Sequence, residues 1–145
     1  MTKLSEQTVT DQFEKGLDCS QVVMGYMAQD IGLELETARK LSACFGGGMM
    51  SGETCGAITG ALMAIGMKYG HSLENDHDQK QVMVSKTSEF KEEFFKKYPS
   101  TMCKDLLGHD ISVPEDMEKI LEKGLLFNFC PKLVLDVVNI LEKIN

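Results

Sequence analysis

Four of the five cysteines stand where a helix is expected to begin: Asp18-Cys19-Ser20, Thr54-Cys55-Gly56, Met102-Cys103-Lys104 and Cys130-Pro131. Unpaired N–H groups in a first helical turn, with the positive end of the macrodipole, favour an anionic sulfur and lower its pKa. The thiolate is the form that attacks disulfides and binds soft metals. Cys55 has the clearest helix start and is the expected attacking sulfur. Cys44 falls near a helix C-terminus, where the dipole has the opposite sign, and is expected in the core. A subsidiary reading places it across the glycine loop from Cys55 as a resolving thiol.

The four cysteines lie tens of residues apart, so none forms a C-x-x-C pair. Whether they act together depends on how the helices pack. If the four starts converge, the sulfurs could work as one or two dithiol/disulfide pairs. Alternatively, the same residues could be permanent ligands of zinc or an iron–sulfur cluster in a carrier or sensor. A third reading is an interaction module with inert structural thiols.

The elements that must position these sulfurs are helical. Apolar residues recur with a period of 3.6 and no segment alternates as a strand does. Ser5 to Lys15 is the first expected helix; Asp18 with Gln21 caps a second, which buries Val23, Met27 and Ile31 before Gly32. A third places Leu35, Ala38, Leu41, Ser42 and Phe45 on one face and stops at Gly46-Gly47-Gly48. The fourth runs from Thr54, as cap, to Tyr69. Its Gly56, Gly60 and Ala64 form a groove open to another backbone, which in the third reading receives a partner's helix. A long helix to Tyr98 buries Met83, Thr87, Phe90 and Phe94. A short one opens at Cys103, and two more start at Pro114 and Pro131. The last carries the seam Leu133, Val134, Val137, Val138, Leu141 and Ile144. This is an all-α, compact single-domain bundle of about six or seven helices spanning 1–145.

At 145 residues and 43% apolar content the chain can build one core without disulfides. A net charge of −7 with no basic run argues against nucleic acid or an anionic membrane surface as partner. No stretch has the length of a membrane span and no signal segment is recognised, so a cytoplasmic location is expected. There thiols are kept reduced, which favours redox or metal chemistry over structural disulfides.

Read together, Cys19-Ser20-Gln21, Phe45-Gly46-Gly47-Gly48-Met49, Gly52-Glu53-Thr54-Cys55-Gly56-Ala57, Cys103-Lys104-Asp105-Leu106-Leu107-Gly108 and Cys130-Pro131-Lys132-Leu133 give the chain a resemblance to the C-GCAxxG-C-C family of redox-active proteins. The likeness runs nearly end to end. By position it assigns the family's cysteines to Cys19, Cys55, Cys103 and Cys130. This chain reads Cys-Gly-Ala where the family name has Gly-Cys-Ala, and Cys44 has no counterpart. The resemblance implies redox activity without naming a substrate. A redox partner protein or a small thiol is the expected partner, and homo-oligomerisation is left open.

Gly47, Gly48, Gly52 and Gly56 are candidate cofactor contacts, because glycine lets backbone approach a ligand closely. Met49 and Met50 could line such a pocket. His71, His77 and His109 sit among charged residues and read as solvent-facing. Glu53 reads as a first-turn acid that favours the helix dipole.

Overall fold

The computed structural model describes residues 3–145, and they are all-α. The helices are α1 (Glu6–Glu14), α2 (Cys19–Met27), α3 (Leu35–Ser42), α4 (Gly56–Tyr69), α5 (His77–Phe95), α6 (Cys103–Leu107), α7 (Pro114–Glu122), α8 (Leu125–Asn128) and α9 (Cys130–Ile144). All four cysteines singled out by the sequence stand at helix starts. Cys55, however, is the cap residue of α4 rather than its first helical residue. Thr54 forms an isolated antiparallel bridge with Met102 instead of capping.

Two apolar clusters share the interior. The larger is built on α2, α4, α5 and α9: Val23, Met27, Ile58, Phe90, Phe94 and the expected α9 seam are all buried. The smaller comprises Cys103, Leu107 and Ile120, and Phe129 packs against both. Gly60 explains how α2 and α4 come together. A Cβ on it would stand 3.1 Å from the Ser20 carbonyl oxygen and 3.2 Å from Val23 Cβ. The small-residue groove is therefore filled by α2 of the same chain, which corrects the reading of it as a partner-helix site. Tyr98 stacks on Phe94 at 5.0 Å and donates to Asp136 at 2.6 Å, fixing the end of α5 to α9.

Other expectations change. α2 ends at Met27, with Ile31 buried in the turn that follows. Leu35 and Leu41 are exposed, because α3 is amphipathic mainly through Ala38 and Ser42. Cys44 is exposed rather than core: the helix tightens into a 3-10 turn over Ala43–Phe45 and rotates the thiol outward. α8, a single turn, has no counterpart in the periodic pattern.

No single helix among the described residues is long and apolar enough to cross a membrane. The pair formed by α7 and the α8–α9 segment passes by length and composition but is bent by 52°. Its apolarity has another use, since the α9 seam is core.

The glycine loop is an unusual left-handed turn. Gly47, Gly48, Met49 and Met50 have φ of 61°, 64°, 59° and 58° in succession. For the two methionines this conformation costs about 1–2 kcal/mol each. Met50 is 63% exposed, so its side chain contributes little packing in return. Met50→Gly is expected to raise stability by up to about 1 kcal/mol, the relieved strain exceeding glycine's extra freedom in the unfolded chain. A urea midpoint that rises with unchanged slope is the expected reading, and Met50→Val should lower it.

Candidate functional site

The site begins with the fastening of α2. Gln21 Oε1 accepts the Asp18 backbone N–H at 3.0 Å, as the capping pattern predicts, and Gln21 Nε2 donates to the Arg39 carbonyl at 3.2 Å. The buried Ser20 hydroxyl donates to the Ser42 carbonyl at 2.7 Å. The Cys-Ser-Gln sequence thus ties the start of α2 to the end of α3 and fixes where Cys19 points.

Cys55 and Cys103 are joined through backbone. Around the Thr54–Met102 bridge, the Cys55 N–H donates to the Thr101 carbonyl at 2.7 Å and the Cys103 N–H to the Glu53 carbonyl at 2.6 Å. Two chain segments nearly fifty positions apart therefore start their helices side by side. Residues flanking a bridged pair project to the opposite face from that pair, so both thiols lie on one side.

All four cysteines line one cavity of about 220 Å³. Cys55 and Cys103 are buried at its base, while Cys19 and Cys130 are half-buried. Cys19 and Cys55 pack with the larger apolar cluster and Cys103 and Cys130 with the smaller, so the cavity follows the seam between them. Its walls are apolar, among them Phe13, Leu17, Leu107, Ile111, Phe129 and Val134.

Cys19 and Cys55 lie within hydrogen-bonding reach of each other. The Cys55 thiol, then the N–H groups of Gly47 and Ser20, hold Cys19 down to about 7 against desolvation and the Asp18 carboxylate. Cys55 moves the other way: donating to Cys19, together with burial, pushes it well above the ordinary thiol range. Two adjacent thiols cannot both ionise cheaply in an apolar site. One proton stays between them, and Cys19 keeps the charge with two backbone donors, Gly47 and Ser20, against Ala57 alone for Cys55. This reverses the expectation that Cys55 carries the thiolate.

Burial also raises the other two. Cys130 is pushed up by desolvation and then by the charge of Cys19 and Cys103. Cys103 rises to about 11, chiefly by burial, then through Cys19 and Asp110. A helix start is therefore insufficient to make a thiolate when the sulfur is buried without N–H donors. A raised acid keeps its proton in the folded state after the unfolded chain has lost it, so stability falls as pH rises through this interval. Between the ordinary 9.0 and about 11 the Cys103 shift predicts a loss of about 2–3 kcal/mol. Urea unfolding across that interval should show it, and Cys103→Ala should make the dependence shallower while Cys55 and Cys130 keep their own share.

Gly56 explains the residue after Cys55. A Cβ there would stand 2.5 Å from Cys19 Sγ and 2.8 Å from the Phe45 carbonyl oxygen. The Cys19 sulfur rests on the Gly56 backbone. Gly47 also lines the cavity, but Gly48 and Gly52 do not: Gly48 packs on the Glu53 backbone, and Gly52 faces Asp110 and Lys104. Met49 and Met50 are exposed outside it. His71 and His77 are exposed, and His109 meets Lys123 Nζ at 3.0 Å, away from the cysteines. Glu53 is exposed, and its carbonyl receives Cys103 N–H.

The sulfurs that line the cavity are the set that could hold a metal. Yet among the described residues no three His, Cys, Asp or Glu side chains come together as a group able to hold an ion. Zinc or iron–sulfur ligation by Cys19, Cys55, Cys103 and Cys130 is the alternative use of the same four side chains.

Sequence reasoning missed the backbone N–H of Gly47 as a thiolate donor, the anchoring by Ser20 and the aromatic wall. Only Gly47, already notable as a candidate contact, carried a local signal. No curated protein and no solved structure matches the chain. A family model described as "Putative redox-active protein (C_GCAxxG_C_C)" matches residues 17–144, the span that contains all four cavity cysteines. The chain belongs to this family of redox-active proteins.

Proposed function

We propose that the protein is a thiol–disulfide redox protein in which Cys19 and Cys55 form the reactive dithiol. The observation that carries this reading is their contact in one cavity: the two thiols lie within hydrogen-bonding reach, and the Cys55 thiol with two backbone N–H groups holds Cys19 near 7. At neutral pH a large fraction of Cys19 is thiolate, close to the optimum for exchange. Cys55 stands beside it, protonated, able to resolve a mixed disulfide once its proton has passed to the leaving sulfur. Cys103 and Cys130 remain thiols. The family's redox character and the enclosure of the pair in one cavity support the same reading.

The test is mild oxidation of fully reduced Cys44→Ser protein, which removes the exposed thiol. Peptide mass spectrometry should find a Cys19–Cys55 disulfide with loss of two titratable thiols, and Cys19→Ser should abolish it. An unchanged thiol count, or a disulfide confined to Cys103 and Cys130, would overturn the assignment.

A further inference from the structure

The cavity that holds the dithiol is selective in two physical respects, size and charge. Its volume of about 220 Å³ exceeds the ~150 Å³ of an apolar cavity that binds benzene. In proportion it takes roughly nine non-hydrogen atoms. That is a small-molecule substituent rather than a polypeptide segment. Among the described residues lining it, the charged groups are the Asp18 carboxylate and the Cys19 thiolate, and no Lys, Arg or His is present. The Asp18 carboxyl is itself raised by desolvation. A ligand carboxylate entering here would lose its hydration without gaining a counter-ion, a penalty of several kcal/mol. It would also approach a Cys19 thiolate and a chain of net charge −7. Apolar side chains supply the rest of the wall, with the exposed Phe127 marking its solvent side.

We propose that the substrate is a small, uncharged disulfide with apolar substituents, rather than glutathione disulfide or a protein disulfide. This rests on the thiol–disulfide reading above and specifies its substrate. One substituent occupies the cavity and places the S–S bond at Cys19. The Cys19 thiolate attacks one sulfur, forming a mixed disulfide, and the other sulfur leaves as a thiolate that takes the Cys55 proton. The resulting Cys55 thiolate attacks Cys19 Sγ and expels the second substituent, which takes a proton from solvent. One S–S bond is broken and one formed. The protein dithiol loses two electrons and the substrate becomes two thiols. The attacking Cys19 is half-buried in a cavity of about 220 Å³ that admits a small substituent and not a polypeptide, so discrimination against polypeptides and against anions has separate causes.

Dithiodipyridine and its dicarboxylate analogue dithiodinicotinate form a matched pair of probes. Each should be mixed with fully reduced Cys44→Ser protein. The single-turnover rate is then divided by that of the same probe with free 2-mercaptoethanol, and the product is identified by mass spectrometry. The neutral probe should lead the dicarboxylate by at least about tenfold, consistent with the cost of burying an unpaired charge. Glutathione disulfide should be slower still. Phe127→Lys, which sets a cation at the cavity wall, should narrow the gap between the matched probes. Normalised rates within about twofold, with the Cys19–Cys55 disulfide still formed, would overturn the substrate assignment and leave the dithiol intact. Failure of every probe to form that disulfide would remove both.

Discussion

Cys55→Ala should slow alkylation of Cys19 at neutral pH by up to about five- to tenfold. The Cys55 thiol is the largest influence holding Cys19 near 7, and without it desolvation moves Cys19 up toward its ordinary 9.0. A full return to 9.0 would take the thiolate fraction at pH 7 from about one half to about one hundredth, which sets the upper limit of the effect. A more basic thiolate is also more nucleophilic, and a Brønsted coefficient of about 0.4–0.5 recovers roughly a sixfold to tenfold share of that loss. The pH–rate profile separates the two effects, because its midpoint should move up while the high-pH plateau rises. Cys55→Ser is the informative control. A hydroxyl still donates to Cys19, so the midpoint stays nearer 7, yet no disulfide can close. Equal midpoints in wild type and Cys55→Ala would show that the backbone donors alone stabilise the Cys19 thiolate.

Gly56→Ala is expected to be the most damaging small change at the cavity. The added methyl would stand 2.5 Å from Cys19 Sγ, 2.8 Å from the Phe45 carbonyl oxygen and 3.1 Å from Gly46 Cα. Two of these are backbone atoms, so rotation of one side chain cannot relieve the clash. Overpacking of this kind costs about 1–3 kcal/mol, more than the roughly 1 kcal/mol gained from alanine's helix propensity. The sulfur must also move away from Cys55 or from Gly47 N–H, so the Cys19 midpoint should rise with the loss of stability. Gly66→Ala is the contrasting case, since nothing lies within 4 Å of a Cβ there, and it should stabilise the helix. Urea unfolding and the alkylation profile on both variants test this. A Gly56→Ala protein with unchanged stability and midpoint would contradict the close seating of Cys19.

Much of this was legible in the chain because it is local physics. Apolar periodicity marked the core faces of α5 and α9, Pro114 and Pro131 marked helix starts, and Asp18 with Gln21 marked the cap of α2. The same signals put four cysteines at helix starts. Local signals failed where tertiary packing overrode them. Cys44 read as core because its helix was expected to continue in register, and the 3-10 turn at Ala43–Phe45 turned it outward. The Gly56–Gly60 groove marked a close backbone contact, but a sequence cannot say that its own α2, rather than a partner's helix, fills it.

The sequence by itself determined the helical class, the placement of the four cysteines at helix starts and the family to which the chain belongs. These follow from periodicity, capping and motif, each contained within a few neighbouring residues. Only the tertiary structure decided which sulfur bears charge. That depends on Cys55 lying beside Cys19 and on Gly47 N–H pointing at the sulfur, contacts made across 28 or more positions of chain. Ionisation in an apolar cavity is governed by donors and charges within a few ångströms. A helix start supplies the orientation of the thiol, and folding supplies the partners that decide its proton.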